Sequence, residues 1–206
     1  YCNISAVVPV MNTTATPGNY THIPSGLDLN STTGTITLGT ASQAGIYDIT
    51  FTLPANAACP AFSATDRVVI ISPANAGGDT AIALCTTSPT LNLFSSLGPS
   101  AQAGGQWFKP FMGYAPFGGS VVPSAYPAGG TYSYAYVVTS TPPCTNDTAL
   151  VTVTYNVAAD AGTNDTLITC NSGAAQSLFA QLGGTPMAGG VWTGPSPVAG
   201  GMYDPA

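Results

Sequence analysis

His22 is the only imidazole in this 206-residue chain, Arg67 its only arginine and Lys109 its only lysine. A Ser-His-Asp arrangement would have to run through His22. That residue stands beside Tyr20 and Thr21 in a threonine-rich stretch with no serine-elbow sequence near it. All eight acidic residues are aspartates. Two of them would in principle suffice to cleave a glycoside, but most stand in turn contexts such as Gly78-Asp79-Thr80 and Asn146-Asp147-Thr148, where side-chain-to-backbone bonding accounts for them. Asp160, Asn164 and Asp165 cluster the hard oxygens that calcium takes, though without EF-hand spacing. Zinc has too few ligands in one histidine and scattered cysteines. The expectation is a chain with no enzymatic activity, no cofactor and no metal centre.

Covalent modification has better signals. Asn-X-Ser/Thr occurs at Asn3, Asn12, Asn19, Asn30, Asn146 and Asn164, where roughly two or three such matches would arise by chance. Asp-Thr followed by an aliphatic residue occurs at Thr80, Thr148 and Thr166; the same dipeptide would also serve simply to start a strand. Among five cysteines, Cys2 with Cys59 and Cys85 with Cys144 enclose loops of similar length, each worth about 4 kcal/mol in the loop-entropy account. Cys170 is left over. Paired, widely spaced cysteines belong to an oxidising compartment, so the chain is expected to be extracellular.

One segment is unusual in its density of rings. Residues 107–117 hold Trp107, Phe108, Phe111, Tyr114 and Phe117, broken by prolines and a glycine. Trp107 is expected in a core because Trp192 repeats it. Phe108, Phe111, Tyr114 and Phe117 are expected to contact another copy of the chain; capping a unit boundary or stacking on sugar are the alternatives. Tyr132, Tyr134 and Tyr136 fall on one face of a strand, where cross-strand packing is their expected role.

The elements that position these residues follow from composition and repetition. Charged residues make up 5% of the chain and the formal net charge is −6. Two basic side chains cannot neutralise a run of phosphates, which excludes nucleic acid as a partner. No apolar stretch approaches the roughly 20 residues that span a bilayer, so membrane insertion is not expected. A hydrophobic fraction of 45% is ample for packed cores, while 24 glycines, 18 prolines and the absence of glutamate oppose long helices. Alternating or β-branched runs predict strands at 35–38, 47–53, 67–72, 81–85, 132–139 and 149–155. Residues 91–97 and 175–182 read equally as a helical turn or as strand and loop.

The chain also repeats itself at an offset of 85 residues. Ala74-Asn75-Ala76-Gly77 returns as Ala159-Asp160-Ala161-Gly162, Leu93-Phe94 as Leu178-Phe179, and Gly104-Gly105-Gln106-Trp107 as Gly189-Gly190-Val191-Trp192. Cys85 returns as Cys170, and Cys59 as Cys144. Three units follow: 1–73, 74–158 and an incomplete 159–206. Several short strands per unit predict an all-β chain of tandem immunoglobulin-like β-sandwiches. The opening tyrosine suggests a processed chain or a window from a longer one. Nothing in the third unit matches 131–157, so polypeptide past Ala206 is expected to complete it, as continuing chain or as a strand from a neighbouring copy.

Residues 24–36, with their Gly-Leu segment and turn, and Ala44-Gly45-Ile46-Tyr47-Asp48-Ile49-Thr50-Phe51 resemble the cadherin-like Ig repeat. The Asn-Ala-Gly, Leu-Phe, Gly-Gly-x-Trp and Gly-Gly-x-Tyr-Asp-Pro-Ala signatures of the later units resemble a second repeat type found in the same proteins. Those are the large secreted surface proteins of Bacteroidota, including adhesins associated with gliding motility and type IX secretion. Asp-Thr-aliphatic likewise resembles the O-glycosylation motif of secreted proteins of that group. The resemblance implies surface display and a structural or adhesive role. The expected function is a structural segment of an extracellular filament or stalk, glycosylated, with copies of itself or its own continuation as partners; the alternative is an adhesin whose units bind glycans or other surfaces.

Overall fold

The computed structural model describes residues 1–3, 7–9, 18–39, 42–194 and 198–205, with 7–9 and 199 by backbone alone. Among them there is no α-helix, only strands and single 3-10 turns, as a chain rich in glycine and proline and lacking glutamate should give.

Six strands come from the first unit: β1 (Val7–Pro9), β2 (Asn19–Ile23), β3 (Asp28–Leu29), β4 (Thr35–Thr37), β5 (Gly45–Leu53) and β6 (Phe62–Ile70). They form two three-stranded sheets, β1-β4-β3 and β2-β5-β6. Period-two alternation on β5 sends Tyr47 and Ile49 inward and Ile46 and Asp48 outward. Ile36, Val68 and Ile70 complete the core with Tyr20. On the outer face Arg67 reaches the opposing Asp48 at 2.9 Å, an exposed pair that solvent screens.

The second unit contributes β7 (Thr80–Cys85), β8 (Leu91–Asn92), β9 (Gln106–Lys109), β10 (Ala115–Phe117), β11 (Ser120–Val121), β12 (Gly130–Val138) and β13 (Asp147–Asn156). Its main sheet has the order β10-β9-β12-β13-β7, facing the small β11-β8 sheet. β7 alone runs parallel to its neighbour. Val151, Val153 and Tyr155 of β13 and Tyr134 and Tyr136 of β12 are buried with Leu93 and Trp107. On the other face the hydroxyls of Ser133 and Thr152, and of Thr131 and Thr154, meet at 3.1 Å. The chain is all-β and Ig-like. Residues 91–97 realise both expected alternatives: β8 runs into a 3-10 turn at Leu93–Ser96, whose start is capped by Asn92 Oδ1 accepting from Phe94 N at 3.0 Å.

Among the described residues of the third unit, β14 (Gln176–Ser177) pairs with β15 (Met202–Tyr203), and Thr163 forms an isolated bridge with Gly183. The two strands repeat β8 and β11 of the second unit. Residues 165–170 and 191–194, the counterparts of β7 and β9, are not strands. In the second unit those two strands hydrogen-bond to β13 and β12 respectively, and the described third unit supplies no counterpart of either.

The cysteine pairing differs from expectation. Cys2 is joined to Cys144, with a Cα–Cα distance of 4.9 Å, while Cys59, Cys85 and Cys170 are unpaired. Cys59 lies at the tip of the β5–β6 hairpin, whereas Cys2 bridges Ile71 just beyond the far end of β6. The nine-residue β6 between them is about 30 Å long, and a disulfide requires Cα atoms within about 7 Å. Cys85, opposite Asn156, is separated from Cys144 by the length of β13 in the same way. A unit's two cysteines sit at opposite poles, so neither expected pair can close.

Candidate functional site

Each unit is organised around one aromatic ring laid on a glycine. Gly34 in the first unit and Gly119 in the second, 85 residues apart, have φ of 70° and 75°. A Cβ on Gly34 would lie 2.7 Å from the Tyr20 ring, and one on Gly119 would run into the indole of Trp107. Only glycine combines that left-handed backbone with so close an approach. A second ring then covers the first: Phe51 of β5 lies 4.7 Å from Tyr20, and Tyr136 of β12 lies 4.9 Å from Trp107. Tyr136 also meets Phe94 edge-on at 5.5 Å. Its hydroxyl donates to Gln102 O at 2.7 Å and accepts from Gly105 N at 2.8 Å.

Among the described residues, the third unit repeats the glycine and the first ring, and no ring is seen stacked on Trp192. Gly201, with φ 73°, would place a Cβ 2.5 Å from Trp192 Nε1, and Leu178 N donates to Gly201 O at 2.8 Å as Leu93 N does to Gly119 O at 2.9 Å. Where Tyr136 would stand there is instead a cleft of about 710 Å³, lined by Phe179, Leu182, Met187, Gly190, Trp192 and Gly201 among others. Phe179, Met187, Gly190 and Trp192 stand 85 residues after Phe94, Gln102, Gly105 and Trp107, the residues around the Tyr136 ring. Phe179 is 39% exposed and Trp192 only half-buried, against 7% for Trp107. Trp192 was legible in the sequence as a repeat of Trp107. The slot was not, although the shared 85-residue spacing of Gly34 and Gly119 carries its signal.

The ring-dense segment is a β-hairpin on the edge of the main sheet, with β9 and β10 joined through a 3-10 turn at Pro110–Met112. Phe111 and Phe117 have ring neighbours within their own unit. Phe117 packs on its own unit, 6.1 Å from Trp107 and 5.3 Å from Tyr134, with Lys109 Nζ 5.0 Å over its ring. Phe111 lies edge-on to Tyr132 and Tyr134 at 5.0 and 5.6 Å, and Phe108 is half-buried. Strand β12 gives these rings a wall that composition did not reveal. Tyr114, Met112 and Phe111 are the exposed members, at 63%, 59% and 43%.

Behind that wall Tyr134 is fully buried, its hydroxyl donating to Tyr126 Oη at 2.9 Å and meeting Tyr155 Oη at 3.0 Å. Tyr126, which the sequence did not single out, stacks on Tyr155 at 4.3 Å and 7°. Burial, then hydrogen bonds to Tyr126 and Tyr155, raise the Tyr134 phenol well above its ordinary range, and burial raises Tyr155. Groups raised in the folded state contribute stability that is intact below the unfolded phenol pKa of about 10 and is lost as pH climbs beyond it. Denaturant titrations of the second unit should therefore show stability falling above about pH 10, with a shallower slope in Tyr134→Phe. An unchanged slope would remove Tyr134 from the cause.

Of the expected modification residues, Thr148 and Thr166 are exposed and Thr80 is half-buried in β7. Their aspartates have backbone partners. Asp147 accepts from Ala76 N and Thr148 N, Asp79 from Leu150 N, and Asp165 from Thr166 N, all within 2.7–2.9 Å. Asn19, Asn30, Asn146 and Asn164 are exposed; Asn12 lies outside the described residues. Asn3 is half-buried, and its amide is spoken for: Nδ2 donates to Ser42 O and Oδ1 accepts from Gly39 N, both at 2.7 Å. A glycan on that nitrogen would have to share it with the Ser42 bond. His22 lies in β2 opposite Ile49, edge-on to Tyr47 at 6.2 Å. Asp160 accepts from Gly162 N and the Thr185 hydroxyl at 2.8 and 2.9 Å, bonds that hold its carboxyl below the usual range.

Residues 4–72 match the family model described as "Putative Ig domain", and the two facing sheets of the first unit agree with it. No curated protein matches the chain.

Proposed function

We propose that this chain is a structural segment of an extracellular fibre or stalk in which Ig-like units are joined head to tail, without catalytic activity of its own and carrying covalent sugar. The observation that carries this reading is the Cys2–Cys144 disulfide, which ties residues of the first unit's outgoing end to a hairpin tip of the second. A catalytic or ligand-binding module has no need to brace the joint between units, whereas a fibre that transmits tension does. Disulfides persist in oxidising, extracellular settings, and the resemblance to Bacteroidota surface proteins agrees with that location. With so few charged side chains, sugar hydroxyls on Thr148, Thr166 and the exposed asparagines would supply the surface polarity that solubility requires. Negative-stain images of native material should show filaments or straight rods, and its mass should exceed the bare 20.6 kDa polypeptide. Compact single particles of bare mass would overturn both parts. The adhesin reading draws on exposed Met112 and Tyr114; isolated flexible rods that bind immobilised glycans would favour it.

On the same reading, the cleft beside Trp192 receives an aromatic side chain on an added β-strand, in the place Tyr136 takes in the second unit. Such a strand would also give 191–194 the hydrogen-bonding partner that makes β9 a strand. A synthetic peptide with the sequence of residues 130–139 should change Trp192 emission when titrated into the chain. The response should vanish in Trp192→Phe and with a peptide carrying serine in place of Tyr136. No response from the parent pair would remove the slot as a strand acceptor. A response that appears with chain concentration alone, without peptide, would identify a neighbouring copy as the donor.

A further inference from the structure

Cysteines occupy two recurring places in these units. The first is the outgoing pole. Cys85 ends β7 in parallel register with Asn156, and Thr86 N donates to Asn156 O at 2.8 Å. Cys2 bridges Ile71 in the same parallel sense, and Asn3 N donates to Ile71 O at 2.7 Å. Ile71 and Asn156 are 85 residues apart, so Cys2 and Cys85 are equivalent. Cys170 stands 85 residues after Cys85 and holds the same place in the third unit's sequence.

The second place is the tip of the hairpin at the incoming pole. Cys59 lies between β5 and β6, and Cys144 between β12 and β13. Each donates its N–H to the carbonyl three residues earlier, Cys59 to Asn56 at 3.3 Å and Cys144 to Thr141 at 3.0 Å. The one disulfide formed, Cys2–Cys144, joins the outgoing place of one unit to the incoming place of the next. Its equivalents on either side, Cys85 and Cys59, are unpaired, and Cys59 is exposed. They cannot satisfy each other: one is at the incoming pole of the first unit and the other at the outgoing pole of the second, each about 30 Å of strand away from the shared joint.

We propose that Cys59, Cys85 and Cys170 are half-cystines of a disulfide ladder, each outgoing cysteine bonding to the hairpin-tip cysteine of the Ig-like unit that follows it. Cys59 then bonds to the outgoing cysteine of the unit before it, whether that unit belongs to the same polypeptide or to a second copy. Each bond forms by exchange with a small-molecule or protein disulfide. One thiolate attacks that oxidant and expels a thiolate from it, and the second cysteine's thiolate then attacks the mixed disulfide. Two protons leave the pair of thiols, and the oxidant's disulfide takes the two electrons to become two thiols. Cys85 is suited to this step: the Thr87 hydroxyl lies 3.1 Å from its sulfur and lowers its pKa, favouring the thiolate.

The inference rests on the head-to-tail reading above, and one preparation tests both. Native material is alkylated with iodoacetamide before reduction, digested and analysed by mass spectrometry, with a portion imaged by negative stain. Cys59, Cys85 and Cys170 should be unlabelled and recovered in cross-linked peptides that pair an outgoing position with a hairpin-tip position. Collapse of multiples to a single chain on reducing electrophoresis identifies a second copy as the partner; cross-links without a change of chain mass identify the same polypeptide. Labelled Cys59 and Cys85, or a Cys59–Cys85 cross-link within one chain, overturns the ladder. Intact filaments alongside labelled cysteines would sink the ladder alone, while the absence of any filament or rod would sink the head-to-tail reading itself.

Discussion

Tyr136→Ala is expected to destabilise the second unit by about 3–5 kcal/mol, the range for removing a large buried ring. That is enough to unfold a domain of marginal stability. The Tyr136 ring is 2% exposed and sits between Trp107 and Phe94, and its hydroxyl bonds both Gly105 N and Gln102 O. Truncation would leave a cavity beside the Trp107 indole, which also packs against Phe117. Tyr136→Phe separates the two contributions. It keeps the ring and removes one hydroxyl, for an expected loss of about 1 kcal/mol or somewhat more, since Gly105 N then lacks its acceptor. Denaturant unfolding followed by Trp107 emission measures both. Equal midpoints for the alanine variant and the parent would show that the slot does not organise the core. In reductant, where the two units are uncoupled, the first unit, whose core is built on Tyr20, Ile36 and Ile49, should keep its stability in either variant.

Cys2→Ser should have an effect of comparable size through the unfolded chain. The disulfide closes a loop with a sequence separation of 142, and the loop-entropy account assigns such a bond about 5 kcal/mol. Because the bond ties the first unit to the second, opening it should also uncouple their cores. Calorimetry should show one transition for the oxidised chain and two for Cys2→Ser, or for the parent in reductant. Cys59→Ser in the isolated chain should leave the melting profile unchanged, since that thiol has no partner there. A single unshifted transition in Cys2→Ser would mean that the joint is held by packing instead of by the disulfide.

Much of the architecture was legible in the residues because its cause is local. Alternation along 47–53, 132–139 and 149–155 identified β5, β12 and β13 within two residues at each end, since one buried face imposes period two. The recurrence of Trp107 as Trp192 and of Cys59 as Cys144 was read as a repeat, and the aromatic–glycine pairs show the physical unit behind it. The neighbours of Phe111 and Phe117 within their own unit were not legible in the sequence. Five rings in eleven residues exceed what one core holds, and the wall that accommodates two of them comes from β12, some twenty residues downstream. Tyr126 gave no periodic signal because it follows a 3-10 turn at Pro123–Ala125 and not a strand.

Composition, the 85-residue offset and strand periodicity thus determined by themselves that this is an all-β chain whose sequence repeats its aromatic anchors. Two features were decided only by tertiary structure. The first is cysteine pairing: loop length suggested one bond within each unit, but a strand holds a unit's two cysteines at opposite poles, so the bond crosses the joint from Cys2 to Cys144. The second is strand identity in the third unit. Residues 165–170 carry nearly the pattern of Thr80–Cys85, yet only the latter forms a strand. A β-strand is defined by hydrogen bonds to a neighbour, and β13 is the neighbour that Thr80–Cys85 has.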